Sequence, residues 1–142
     1  MKLRQQRGQT GEDAAVDYLK AQGYRVVARN WRPGNSLRGE VDCIAWQGQT
    51  LCFIEVKTRT SLERGWPQEA VNLTKQRQLS RLANAYVSSQ QLDDVPCRFD
   101  VVEVWLTPDR ADSKAAPRIA LRENAFDYRE RSPRRSQGAR IF

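Results

Sequence analysis

A chain of 142 residues with 39% hydrophobic and 29% charged side chains is long enough to bury the core of one domain, and it contains no apolar run able to span a bilayer. Its histidine count is zero, which excludes Ser-His-Asp and Cys-His catalysis and any His-ligated metal. Its three cysteines lack Cys-x-x-Cys spacing, which argues against zinc or a disulfide framework, so any chemistry must use carboxylates, lysine or hydroxyls.

The net charge of +7 arises at the two ends. Residues 1–10 carry Lys2, Arg4 and Arg7 and no acid, and this basic start lacks the apolar segment of a secretory signal. A cytoplasmic location is therefore the expectation. A helix opens at Thr10 or Gly11 and ends near Gly23, with Ala15, Val16 and Leu19 at helical spacing and Tyr18 beside them. Glu12 precedes these residues by three, four and seven positions and so lies on the apolar face. Asp13, Asp17 and Lys20 lie on the outer face. The helix dipole favours an acid in the first turn, but Asp13 meets that preference from outside. Glu12, turned inward, is aimed at the charged centre described next.

Tyr24–Asn30 reads as a first strand after the Gly23 stop. Trp31–Gly39 is a loop with two arginines, Arg32 and Arg38. Arginine for phosphate and an aromatic for base stacking suit nucleic acid, while Trp31 could equally pack as a lid on the core. Glu40–Trp46 and Thr50–Lys57 then read as two strands joined by Gln47-Gly48-Gln49, a hairpin signal. Side chains alternate along a strand, so Glu55 and Lys57 share a face. Asp42 interrupts the preceding run. If the strands pair, two carboxylates and one ammonium converge near the middle of a sheet. Buried charge is costly unless paired or bound to metal. A structural ion pair is one reading. Two acids against one base leave an excess of negative charge that favours a hard divalent cation such as Mg2+. Cys43 and Cys52 read as small buried apolar residues.

Thr58–Pro67 is a polar loop. A helix follows, from about Gln68 or Thr74 to about Ser89, with Val71, Leu79, Leu82, Ala83 and Tyr86 on one face. Lys75 shares that face. It either snorkels outward or reaches the acidic centre or a phosphate. Leu92–Pro96 breaks the helix, and Arg98–Leu106 is a fourth strand. Asp100 and Glu103 within it are weaker candidates, because nothing nearby in the sequence completes a cluster. Thr107–Pro117 is a linker, Arg118–Leu121 a short strand, and Asn124–Phe126 the start of a last helical turn. Residues 1–127 thus form one domain. Residues 128–142 are a tail with five arginines and one acid, Glu130, and Ser132–Gly138 has the composition of a disordered segment. Basic ends on a neutral body suit contact with an anionic polymer, or simply keep the chain soluble. The element order predicts an α/β fold: a three-strand meander, a crossover helix, and a fourth strand parallel to a neighbour. Helices on both faces of a mixed sheet make a three-layer α/β/α sandwich.

An acid on the first helix, an Asp in the second strand and Glu-x-Lys in the third resemble the PD-(D/E)XK nuclease superfamily, the restriction-endonuclease-like fold shared with archaeal Holliday-junction resolvases. More closely, Gly11-Glu12, Arg29-Asn30, Gly39-Glu40-Val41-Asp42, Phe53-Ile54-Glu55-Val56-Lys57-Thr58-Arg59 and Arg98-Phe99-Asp100 resemble the bacterial family UPF0102, or YraN-like. The likeness covers roughly residues 8 to 127. It implies that Asp42 and Glu55 bind metal and that Lys57 acts on the attacking water. Glu12 matches the helix acid of resolvase-like members, which puts it with the metal ligands, and Lys75 matches a basic position on the second helix. The implied activity is Mg2+- or Mn2+-dependent hydrolysis of phosphodiester bonds in DNA, including branched or structured DNA. Glu12, Asp42, Glu55, Lys57 and Lys75 would be its catalytic set. Arg32, Arg38, Arg59 and Lys75 would contact flanking phosphates. The partner expectations are nucleic acid, no membrane, and a homodimer as one assembly. Two rivals stand beside this reading: a nucleic-acid-binding module that does not cut, and a protein-interaction subunit in which Glu55–Lys57 is only structural.

Overall fold

The computed structural model describes residues 3–34, 37–60, 71–106 and 117–129. In chain order the elements are α1 (Leu3–Ala21), β1 (Arg25–Trp31), β2 (Val41–Gln47), β3 (Thr50–Thr60), α2 (Leu73–Ser89), β4 (Cys97–Leu106) and β5 (Arg118–Phe126). The strands form one open sheet in sequence order, β1-β2-β3-β4-β5. β3 and β4 are parallel and the other pairs antiparallel, so the chain is a mixed α/β protein. The parallel pair is the one spanned by α2, as a crossover requires.

α1 begins well before the expected Thr10. Its first residues are mostly Gln and Arg, good helix formers that carry a helix without an apolar stripe. It ends at Gly23, whose φ of +93° is left-handed. The Gly23 N–H donates to Lys20 O at 3.0 Å and the Tyr24 N–H to Leu19 O at 2.9 Å, a Schellman closure. At the β2–β3 turn Gly48 takes φ +59°, as the hairpin signal requires. α2 starts between the two expected positions, because the Asn72 side chain caps it by accepting from the Lys75 N–H at 2.9 Å.

Core residues divide by strand alternation. Ala15, Val16 and Leu19 of α1 pack with Cys43, Ala45, Cys52, Ile54, Val102 and Val104. Leu79, Leu82, Ala83, Tyr86 and Val87 of α2 pack with Ile44, Leu51, Phe53, Phe99 and Val101. Cys43 and Cys52 are buried free thiols, as expected.

Two expectations are corrected. Thr58–Thr60 is not loop but the end of β3, because β4 supplies a partner for each residue: Thr58↔Val104, Arg59↔Trp105 and Thr60↔Leu106. Pairing outweighs polar composition there. Asn124–Phe126 is not a helical turn but the end of β5, where Phe126 stacks on Phe99 with centroids 4.7 Å apart. The expected loop from Ser61 to Pro67, most of the linker after Leu106, and the tail from Glu130 lie outside the described residues. Tyr128 and Arg129 lie against α2: the Arg129 N–H donates to Ser80 Oγ at 2.9 Å, and Asn84 Nδ2 donates to the Tyr128 hydroxyl. Among the described residues no helix is long and apolar enough to cross a membrane.

Candidate metal centre

The centre forms where β2 and β3 stop pairing. Their ladder runs from Gln47↔Thr50 to Cys43↔Ile54, and one further step would set Asp42 across from Glu55. There a side chain replaces the backbone partner, and the Val56 N–H donates to Asp42 Oδ2 at 2.8 Å. Asp42 is thereby held, half-buried, at the start of β2 against β3. α1 brings Glu12 to the same place because it crosses β3 at a glycine. A Cβ on Gly11 would lie 1.9 Å from Thr58 Oγ1, so no larger residue permits this approach. Gly39, with φ +98°, turns the chain into β2 just ahead of Glu40. Carboxylate oxygens of Glu12, Glu40 and Asp42 lie within 4.8 Å of one another.

Glu55, on β3, stands beside Asp42 but is not one of that close set. It is 6% exposed. Its Oε2 lies 3.8 Å from Lys75 Nζ, while its buried Oε1 has no hydrogen-bond partner among the described residues. Burial pushes the Asp42 carboxyl up to about 8, helped by the negative charges of Glu55 and Glu12 and opposed by the Val56 N–H. Burial also raises Glu55, against the pull of Lys75 and Lys57. In the metal-free protein the pair thus retains a proton at neutral pH. The donor set is entirely carboxylate oxygen, which suits a hard cation, Mg2+ or Mn2+, better than zinc or copper.

Of the expected site residues, Glu12, Asp42 and Glu55 come together here. Lys57 lies two residues beyond Glu55 on the same face of β3 and holds its carboxylate down electrostatically. Lys75 reaches Glu55 rather than snorkelling. Arg59 is drawn inward: its Nε donates to Glu103 Oε2 at 2.7 Å, and the Glu103 side chain is 3% exposed. Arg32 remains 72% exposed and pairs with Glu40 at 2.8 Å. Arg38 is exposed. Trp31 sets its ring edge-on to Tyr86, centroids 5.1 Å apart, and packs against the α2-side core, so of its two readings the lid is the observed one.

Glu40 and Asn30 escaped the residue-level reading. Asn30 Nδ2 donates to Glu12 Oε1 at 3.0 Å and to Glu40 Oε1 at 3.1 Å. The available signal was the tight Gly39-Glu40-Val41-Asp42 block, in which two acids two positions apart share a strand face.

Residues 11–104 match the model of the uncharacterised protein family UPF0102. A UPF0102 protein of Symbiobacterium thermophilum is 47% identical over 119 residues, covering 84% of this chain and 94% of the relative. One from Caldicellulosiruptor saccharolyticus is 48% identical over 99 residues, covering 70% and 81%. One from Chlorobaculum tepidum is 50% identical over 99 residues, covering 68% and 73%. The matched span includes Glu12, Asn30, Glu40, Asp42, Glu55, Lys57 and Lys75, and the chain belongs to the uncharacterised protein family UPF0102.

Proposed function

We propose that this chain is a divalent-metal-dependent phosphodiesterase that cleaves DNA, built on a three-layer α/β/α sandwich of the restriction-endonuclease-like kind. The fold reading is supported by the packing of α1 and α2 against alternate residues of the same strands. The functional reading is carried by one observation: a buried Glu55 oxygen with no hydrogen-bond partner among the described residues, next to the acids Asp42 and Glu12. Crowding partly buried acids with one oxygen left unanswered costs stability, even with Lys75 beside Glu55 and the Val56 N–H on Asp42. A cation reverses the sign.

Asp42, Glu55 and Glu12 would hold that cation. When bound, it supplies a Lewis acid for a phosphoryl oxygen and lowers the pKa of a water. The protein's own groups do the rest. Lys57, on the face of β3 that carries Glu55, orients the attacking water or stabilises the charge that grows on the phosphate. Lys75 favours the ionised form of Glu55, keeping it ready as a ligand. Arg32 and Arg38 contact flanking phosphates, which positions the substrate without reading its sequence.

The test is a cleavage panel of branched, flapped and linear DNA with Mg2+ and with Mn2+, run beside Asp42→Ala, with Mn2+ binding measured by calorimetry. The expected result is wild-type cleavage of at least one substrate and none by the variant. Wild-type protein that binds Mn2+ and DNA yet cuts nothing would favour a non-cutting binding module. Wild-type protein that binds no divalent cation would remove the metal centre altogether.

A further inference from the structure

Asn30 carries two features that its place in a strand does not require. Its φ is +50°, in the left-handed region, which Asn tolerates better than other side chains do. Its side-chain nitrogen also serves two carboxylates, Glu12 on α1 at 3.0 Å and Glu40 ahead of β2 at 3.1 Å. The amide offers two N–H donors, and both neighbours only accept, so the network fixes which end of the amide faces them. Asn30 also lies in the right row of the sheet. The pairs Arg29↔Cys43 and Trp31↔Val41 leave it across β2 from Asp42, as Glu55 is from the other side.

We propose that Asn30 is a positioning residue for the metal centre, its single amide holding Glu12 and Glu40 at a separation that leaves both within reach of Asp42. This rests on the metal-centre reading above. Two acids whose oxygens stand within 4.8 Å of each other and of a third would otherwise repel and swing out. The amide offsets that repulsion with two charge-assisted hydrogen bonds. It adds no negative charge and leaves the carboxylates their remaining lone pairs. It also ties the reach of α1 to the turn into β2, so the acids from both segments move as a unit. The Asn30 side chain is exposed, and exposed hydrogen bonds contribute little to folding. Nearby, Arg29 and Asp13 hold the same helix to β1 at 2.7 Å without Asn30. The role should therefore read out in cation affinity rather than in melting.

The experiment uses the full chain, Mn2+ calorimetry and thermal melts. Asn30→Gly removes the amide but accepts the left-handed φ, which offsets the added unfolded-chain entropy, so the melting temperature should change little. Mn2+ affinity should fall about 10- to 100-fold, the usual effect of losing a group that orients metal ligands. Asn30→Ser, which keeps one donor, should fall between. In a Glu12→Ala background the additional loss on Asn30→Gly should shrink to about threefold or less, because the amide then has one acid left to hold. Wild-type affinity in both Asn30 variants would overturn this inference and leave the metal centre standing. A loss that is unchanged in the Glu12→Ala background would overturn the route through Glu12. Absence of Mn2+ binding by the wild type would overturn the metal reading itself, and this inference with it.

Discussion

Two groups of acids, each with a buried member, share the sheet and settle their charge in opposite ways. Asp100 of β4 is fully buried. It accepts from Tyr24 Oη at 3.0 Å, Arg98 Nε at 2.9 Å and the Asn124 N–H at 2.9 Å. Arg98 in turn donates to the Gln47 side-chain oxygen and to the Tyr24 hydroxyl at 2.8 Å. Burial, then the nearby Asp100 charge, pushes the Tyr24 hydroxyl well above its usual value, so it stays a donor. That network is closed, with each carboxylate oxygen answered by a donor. Glu55 is similarly withdrawn from water and Asp42 is half-buried, but they face other acids, and one oxygen of Glu55 has no hydrogen-bond partner among the described residues. Burial of an acid therefore does not mark a functional site. What separates the two groups is whether the chain itself completes the charge.

The comparison can be broken from either side. The largest expected effect is in the closed network. Asp100→Asn takes the buried carboxylate from Arg98, leaving it only the half-exposed Glu123 at 3.6 Å, and should cost about 3–5 kcal/mol, read from urea unfolding, with Mn2+ affinity of the folded protein unchanged. A loss below about 1 kcal/mol, the scale of an exposed pair, would mean that the network is not holding β4 and β5. Next comes Lys57→Ala in the open group. Cleavage should drop by a factor of about 10²–10³ while Mn2+ and DNA binding persist. If the variant instead keeps wild-type cleavage and only melts earlier, Lys57 is a structural partner of Glu55. Third, Glu55→Gln should weaken Mn2+ binding about tenfold or more, since a lost ligand costs at least what a lost ligand-orienting group does. Stability of the metal-free protein should stay within about 1 kcal/mol or rise, because a neutral amide replaces a buried acid. Equal affinity in wild type and variant would erase the difference between the groups.

The most gradual effect, small over any one pH unit, is a slope with pH. Burial, then the Glu55 charge, pushes the Asp42 carboxyl up to about 8 in the folded chain, against about 3.9 for an unperturbed Asp. Between those values the folded state holds the extra proton, so stability of the metal-free protein should fall as pH rises from about 4 to about 8, then level. Glu55 is shifted in the same direction and adds to it. Each proton so held contributes at most roughly 1.4 kcal/mol per pH unit. With no histidine in the chain, little else in side chains titrates in the upper half of that window. Saturating Mn2+ should flatten the slope, because the ionised form is the ligand. A metal-free unfolding free energy that is flat from pH 5 to 8 would contradict it.

Much of this was legible in the residues. Asp42, Glu55 and Lys57 stand beside the apolar runs of β2 and β3, and Lys75 interrupts the apolar face of α2, so each announced itself as an exception to a pattern. Glu12 was readable because the first helix already had an outward acid in Asp13. Glu40 and Asn30 broke no pattern. One lies just outside its strand, and the other depends on a backbone angle that composition does not reveal. The partners of Asp100 and Glu103 were invisible for another reason. Tyr24 is 76 positions from Asp100, and Arg59 is 44 from Glu103, so nothing local pairs them. The length of β5 was hidden by Glu123 and Asn124, polar residues that an edge strand tolerates on its wet side.

The contact between Gly11 and Thr58 has a consequence for anyone who wishes to tune this protein. The clearance between a helix and a sheet is set here by the lack of one methyl group, and that clearance governs how far an acid on the helix projects toward acids on the strands. Position 11 thus acts as a spacer. Alanine there would lift α1 from β3 and withdraw Glu12 by the same shift, detuning the assembly without altering a single ionisable group.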